Sequence, residues 1–157
     1  MITEITPQLW LGDSQDAAYG DLASLGIDAM LNCASDLAEL RYWGDGVHAA
    51  HCGLVDGPGN SLAAYYSAVL QLMHLVGAGK RILVHCHKGE SRSVAVLIMY
   101  LHAVGRLGWD HYRKMIAEAV VKAHAGEPDA PTEMPEPHLA HKSAFNRMDW
   151  RFLAGVI

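Results

Sequence analysis

The sequence predicts an α/β fold: a single domain with a central, mainly parallel sheet of about four to five strands, flanked by helices. Two largely apolar runs, Ile27–Cys33 and Arg81–His85, leave little room for alternating polar residues. Such runs are typical of strands buried on both faces of a parallel sheet. Helical patterns lie between them, and strands that alternate with helices indicate a layered domain. The 157 residues suffice for one domain, residues 1–157, with its own core.

Near the N-terminus, alternating apolar residues predict two short strands, Ile2–Ile5 and Leu9–Leu11. A helix is then expected from about Gln15 to Leu25. Asp13 or Ser14 can cap it, because either side-chain oxygen can accept hydrogen bonds from the unpaired amides of the first turn. This part of the chain therefore predicts one edge of the sheet and the first helix.

The middle of the chain predicts an inner strand and a second helix. Val47–Val55 is the strand candidate, although its apolar residues alternate less cleanly. Before it, Ser35–Tyr42 is expected to form a short helix or a turn. Asn60 or Ser61 follows a glycine-rich loop and can cap a helix over Leu62–Val76.

A strand, a loop and a helix then follow without a gap. The loop Cys86–Arg92 joins the buried strand before it to an apolar helix, Ser93–Val104. A further helix is predicted over Trp109–His124, with Asp110 as its cap. The last helix, Leu139–Leu153, follows a stretch interrupted by prolines. Since ligands of α/β domains bind beyond the carboxyl ends of the strands, the loop is the expected site.

The net charge, the cysteines and the length of the apolar runs indicate which partners and which cellular location to expect. A net charge of −5 without clustered Lys and Arg makes nucleic acid an unexpected partner. The three cysteines have no framework spacing, which favours a reducing, cytoplasmic location. The N-terminus lacks the features of an export signal, and no apolar run reaches the roughly 20 residues of a membrane span. We therefore expect a cytoplasmic monomer without a membrane span.

The loop combines a nucleophile with groups that bind an anion. Cys86 stands at the strand end, where the amides of residues 87–92 and the following helix dipole can stabilise a thiolate or a phosphate. Gly89 permits a positive φ or a close approach of the chain. Arg92 can clamp phosphate with two charge-assisted hydrogen bonds, and Ser93 can donate its hydroxyl to the sulfur. The pattern indicates attack on phosphorus by Cys86.

The order Cys-x-x-Gly-x-Ser-Arg-Ser, preceded by Val-His, resembles the signature of protein tyrosine phosphatases. Its Ser-Arg-Ser ending is similar to the dual-specificity subgroup, and the likeness extends over roughly Ile2–Ile116. The resemblance implies a phosphatase that hydrolyses phosphate monoesters through a cysteinyl-phosphate intermediate. It further implies phosphorylated proteins or peptides as substrates, with phosphotyrosine and phosphoserine or phosphothreonine accepted, and no cofactor.

Such a phosphatase needs a general acid to protonate the departing oxygen. Asp56 is the leading candidate, because it follows a strand, opens a Gly/Pro loop and lies 30 residues before Cys86, close to the spacing that the resemblance implies. The alternative is that Asp56 only begins a turn, since Asp-Gly is a common turn pair. Asp36 and Asp45 are the other candidates for the acid.

The residues expected to line the phosphate site are His87, Lys88, Gly89, Glu90, Ser91 and Arg92. Glu90 is unusual among them, because an acidic side chain beside a dianion opposes binding unless it points outward. The mixture of charges favours a phosphoprotein over a highly anionic inositol lipid. A phosphoinositide or other non-protein substrate remains the alternative.

Two further side chains have predicted supporting roles. His85 is expected to lie beneath the loop and to hold the sulfur in place through backbone hydrogen bonds. Metal binding by His85, Cys86 and His87 is disfavoured, because neighbours at a strand end cannot easily converge on one ion. By resemblance to some relatives, Cys33 is a candidate for a reversible disulfide with Cys86; the alternative is a small buried apolar side chain.

Three classes of function remain open at this point: an active phosphatase, a non-catalytic domain that binds phosphorylated partners, and a rhodanese-like sulfur carrier. The presence of a cysteine, an arginine and an acid favours the phosphatase.

Overall fold

Five strands form one sheet in the computed structural model, which describes residues 2–37, 46–128, 130 and 136–154. The strands are β1 (Thr3–Thr6), β2 (Leu9–Gly12), β3 (Ala29–Ala34), β4 (His48–Leu54) and β5 (Ile82–His85). Their order across the sheet is β1-β2-β5-β3-β4. Every neighbouring pair is parallel except β1 with β2, which confirms the mainly parallel sheet.

Helices cover both faces of this sheet. Within the described ranges they are α1 (Ser14–Tyr19), α2 (Leu62–Gly77), α3 (Arg92–Gly105), α4 (Trp109–Ala123), α5 (Leu139–Arg147) and α6 (Trp150–Ala154). Ile82 and Val84 of β5 belong to the large core shared with α2 to α5, whereas Leu83 packs in a smaller cluster with Ala17 of α1. Successive strand residues point to opposite faces, so burial of both faces explains the continuous apolar run.

The structure corrects two predictions in the first half of the chain. The first helix ends at Tyr19 rather than Leu25, because Gly20 adopts an extended conformation and terminates it. Val47–Val55 is not an inner strand: β4 lies at one edge of the sheet, and Leu54 is its one fully buried residue. The helix or turn predicted at Ser35–Tyr42 lies mostly outside the described residues.

Two predicted helices also differ in detail. Gly108, not Asp110, precedes the first turn of α4, and Asp110 lies within that turn. The single C-terminal helix is divided in two, because Met148 is extended and buried between α5 and α6. The break lets Trp150 pack against Phe145, with their ring centroids 4.9 Å apart.

Candidate active site

Backbone contacts hold the loop after β5 against the end of β2 and the residues that follow it. The Ser14 amide donates to the His87 carbonyl at 3.1 Å. Gly89 has φ of 71°, and a Cβ there would lie 2.7 Å from the Gly12 carbonyl oxygen. Glycine is therefore required at this position both by its backbone conformation and by the close approach to β2.

Cys86 lies at a cavity of about 410 Å³ and is 2% exposed. Its Sγ is 3.1 Å from Ser93 Oγ, in the first turn of α3. A hydroxyl at this distance can donate to a thiolate and favour the charged sulfur. The cavity is lined by Asp36, Asp56, Cys86, His87, Lys88, Glu90, Ser91, Arg92, Glu136 and His138.

Arg92 is buried, and one nitrogen of its guanidinium is held by hydrogen bonds to the protein. Its Nη1 donates to Asp36 Oδ1 at 2.5 Å and to the Leu54 carbonyl at 3.2 Å. Its Nε is buried and has no hydrogen-bond partner within the described part of the chain. A buried donor without an acceptor is costly, so this edge of the guanidinium is suited to bind an anion.

Asp36 is thus a partner of Arg92. The hydrogen bond from Arg92 is the main reason that the pKa of Asp36 lies below its usual value. Because its Oδ1 is engaged by the guanidinium expected to bind phosphate, Asp36 is disfavoured as the general acid. Asp45, the other alternative, lies outside the described residues.

Asp56 follows β4 and lines the same cavity as Cys86. Its Oδ1 accepts from Ser91 Oγ at 2.6 Å and lies 3.1 Å from His141 Nε2. Burial raises the pKa of Asp56, but the hydrogen bonds from Ser91 and His141 outweigh it and leave the pKa below the usual value. A phosphate dianion entering the cavity would raise this pKa again, because a nearby like charge favours the protonated carboxyl.

His85 is fully buried at the end of β5, directly before the loop. Burial lowers its pKa to about 4, against the opposing effect of a backbone hydrogen bond with Cys86. The imidazole is therefore neutral at physiological pH.

Because the unfolded chain has the usual His85 pKa of 6.5, this burial makes stability depend on pH. Above pH 6.5 His85 is neutral in both states and the free energy of unfolding is not reduced. As the pH falls towards 4, only the unfolded chain binds the proton, and the free energy of unfolding falls by about 3 kcal/mol. We expect urea unfolding at pH 7 and pH 4 to show a larger difference in stability for the wild type than for His85→Gln. Equal differences in the two proteins would contradict the buried, neutral histidine.

Cys33 lies on β3 beside β5, and it is buried. Burial raises the pKa of its thiol well above the usual value, with neighbouring Cys52 and Cys86 adding to the effect. A protonated thiol attacks slowly, so the environment resists disulfide exchange. The redox role of Cys33 stays a prediction.

Three side chains of the loop point towards solvent. His87, Lys88 and Glu90 are all exposed, so the Glu90 carboxylate is not buried against the phosphate position. In the described ranges, no group of three or more His, Cys, Asp or Glu is placed to hold a metal ion. No helix of that part of the chain is long and apolar enough to cross a membrane.

Residues that the sequence did not connect with the site are Asn60, Tyr65, His138 and His141. The sequence predicts Asn60 only as a possible helix cap, but Ser61 caps α2 and Asn60 bonds to the Val55 backbone beside Asp56. His141 contacts Asp56 across 85 residues of sequence, so no local pattern could have connected the two.

Solved structures share this architecture. Human DUSP28 aligns with a TM-score of 0.70 over 93% of this chain and 90% of its own, at 24% identity. The human tyrosine phosphatase-like serine/threonine/tyrosine-interacting protein aligns with a TM-score of 0.74 over 98% of both chains, at 17% identity. At these identities the likeness shows the fold alone.

The sequence comparisons specify the family. Residues 9–124 match the family model described as dual specificity phosphatase, catalytic domain, and the chain belongs to this family. Dual specificity protein phosphatase 26 of Bos taurus is 31% identical over 131 residues, covering 78% of this chain. Human dual specificity protein phosphatase 22 is 28% identical over 110 residues, covering 69% of this chain. The chain spans 59% of the length of both relatives.

Proposed function

We propose that the chain hydrolyses phosphate monoesters in proteins, on phosphotyrosine and on phosphoserine or phosphothreonine, through a cysteinyl-phosphate intermediate. The observation that carries this proposal is the convergence of Cys86, the open edge of Arg92 and Asp56 on one cavity. Membership of the dual-specificity family supports it.

In the first step, the Cys86 thiolate attacks phosphorus, so that an S–P bond forms as the P–O bond of the substrate breaks. Arg92 and the amides of the loop bind the phosphoryl oxygens, and protonated Asp56 gives its proton to the departing oxygen. The first step ends with phosphocysteine, a free alcohol or phenol, and an Asp56 carboxylate.

In the second step, water attacks the phosphocysteine and the S–P bond breaks. The Asp56 carboxylate takes a proton from the water as the new P–O bond forms. Ser93 stabilises the departing Cys86 thiolate through the contact of 3.1 Å between Oγ and Sγ. Inorganic phosphate leaves, and the enzyme returns to its starting state.

The charges around the cavity support a protein substrate over an inositol lipid. Asp36 and Glu136 line it, with side chains 60% and 69% exposed, and Glu90 is also exposed on its rim. Among the lining residues that the structure describes, Lys88 is the one exposed lysine or arginine. A rim of this sign repels a headgroup with several phosphates, whereas it attracts a peptide with basic residues beside its phosphorylated residue.

We expect Asp56→Asn to lower kcat on a phosphotyrosine peptide by about 10²-fold, because the tyrosine leaving group needs a proton. p-Nitrophenyl phosphate should be affected much less, since nitrophenolate leaves readily as an anion. Both rates are measured without added metal, together with a panel of phosphoserine peptides and phosphoinositide vesicles.

The panel also separates the alternatives. Faster turnover of phosphoinositides than of any phosphopeptide would indicate the lipid phosphatase that the sequence left open. Tight binding of phosphopeptides without turnover would indicate a non-catalytic binding domain. Unchanged rates in Asp56→Asn would assign the acid elsewhere.

A cytoplasmic, monomeric protein without nucleic-acid partners is part of the same proposal. The three cysteines are free, as is usual for proteins of a reducing compartment. Among the large exposed apolar side chains of the described residues, Tyr19, Leu139 and Phe152 lie on three different helices, α1, α5 and α6. Exposed apolar residues that are scattered singly are normal on a monomer.

A further inference from the structure

Asp56, the proposed general acid, receives two hydrogen bonds on the same oxygen. Ser91 Oγ is 2.6 Å and His141 Nε2 is 3.1 Å from Oδ1. Its other oxygen, Oδ2, has no hydrogen-bond partner within residues 2–37, 46–128, 130 and 136–154. The protein therefore holds one carboxyl oxygen and leaves the other available.

Two series of hydrogen bonds lead to Asp56 Oδ1, and in each a backbone amide determines which atom donates. The Val55 amide can only donate, so the Asn60 atom 2.9 Å from it is the side-chain oxygen. The Asn60 nitrogen consequently donates to the Tyr65 hydroxyl oxygen at 3.2 Å. Tyr65 then donates its own proton to His141 Nδ1, 2.7 Å away. With Nδ1 as the acceptor, the neutral ring carries its hydrogen on Nε2 and donates it to Asp56.

In the second series of hydrogen bonds, the backbone amide is that of His138. The His138 amide donates to Ser91 Oγ at 3.0 Å. The Ser91 hydroxyl proton is therefore directed at Asp56 Oδ1. Both series of hydrogen bonds begin at a backbone amide, which can only donate, and both end at Asp56 Oδ1.

His141 is built into the core rather than placed on the surface. Its side chain is 0% exposed, and burial lowers its pKa, against the hydrogen bond to Asp56, which raises it. The charged or titratable groups that act on the ring are Asp56, His138, Tyr65 and Arg92. His138 and His141 both lie beyond residues 9–124, the part of the chain that matches the family model.

We propose that His141 is a positioning residue for Asp56, and that Tyr65 and Ser91 complete the arrangement. Two donors hold Oδ1 as an acceptor, so the proton of the acid resides on Oδ2. That proton passes from Oδ2 to the departing oxygen as the P–O bond breaks, and the same two donors stabilise the carboxylate that remains. In the second step Oδ2 takes the proton of the attacking water. The inference rests on the proposed function, in which Asp56 is the acid.

The test compares the rates on a phosphotyrosine peptide and on p-nitrophenyl phosphate, because only the first depends strongly on the acid. We expect His141→Phe to lower kcat on the peptide by about 10-fold and kcat on p-nitrophenyl phosphate by less than about threefold. Tyr65→Phe should change the ratio of the two rates in the same direction. His141→Gln should restore much of the ratio, since its amide can replace the Nε2 donor. In an Asp56→Asn background, His141→Phe should leave the ratio unchanged.

Tyr65→Phe removes a single oxygen, so it keeps the test decisive if His141→Phe does not fold. His124→Phe is the matched control, because His124 is also buried but bonds to Thr3, away from the cavity. It should leave the ratio of rates at the wild-type value. An unchanged ratio in both Tyr65→Phe and His141→Phe, or an equal change in the Asp56→Asn background, would overturn the inference. An unchanged ratio in Asp56→Asn alone would instead overturn the assignment of the acid, and the inference with it.

Discussion

Replacing Cys86 by serine is expected to reduce hydrolysis of p-nitrophenyl phosphate by about 10⁴-fold or more. The serine hydroxyl is hardly ionised where the thiolate forms, and it is a poor leaving group from phosphorus in the second step. The measurements are the initial rate without added metal and the mass of enzyme quenched in acid during turnover. The wild type should gain one phosphoryl group, whereas Cys86→Ser should gain none.

Cys33→Ser is the matched control for this prediction. Cys33 is buried like Cys86 and lies on β3, which pairs with β5, but it does not line the cavity. We expect it to retain the phosphoryl adduct and the wild-type order of magnitude of the rate. A loss in Cys33→Ser equal to that in Cys86→Ser would contradict a unique nucleophile. If thiosulfate replaces the phosphate ester, a sulfur atom added to Cys86 with release of sulfite would indicate the sulfur carrier instead.

The part of the site that could be predicted from sequence is the part that is local in sequence. Strand β5, the loop and α3 are consecutive, so the apolar run, Gly89 and the spacing from Cys86 to Arg92 define them together. The parallel sheet could also be predicted, because the largely apolar runs of β3 and β5 indicate strands that are buried on both faces.

Features that depend on distant partners could not be predicted in this way. The edge position of β4 follows from the order of the strands, which its own residues do not specify. The break at Met148 depends on packing of Trp150 against Phe145, which a helical period does not reveal. The bond from His141 to Asp56 requires α5 to dock beside the loop after β4. Each of these outcomes is decided by tertiary packing rather than by local propensity.

Replacing Arg92 by lysine is expected to lower kcat/KM by about 10²–10³-fold, the loss typical of removing a preorganised donor from a charged transition state. Nη1 is already bound to Asp36 and to the Leu54 carbonyl, so the guanidinium meets phosphate with the Nε edge that lacks a protein partner. A lysine has one ammonium group and cannot keep this anchor while presenting a planar pair of donors. Steady-state rates on a phosphotyrosine peptide measure the loss, and a wild-type kcat/KM in Arg92→Lys would contradict it.

Inhibition by inorganic phosphate distinguishes the clamp from its anchor. Arg92→Lys should raise the inhibition constant of phosphate, because two charge-assisted hydrogen bonds are replaced by a point charge. Asp36→Asn should lower it, since the change removes a negative charge 2.5 Å from the guanidinium but keeps a side chain that can accept from Nη1. The two substitutions therefore shift the constant in opposite directions if Asp36 competes with phosphate for Arg92. A rise in both variants would instead mean that the carboxylate is needed to orient the guanidinium, and that its orienting effect exceeds its repulsion of the phosphate.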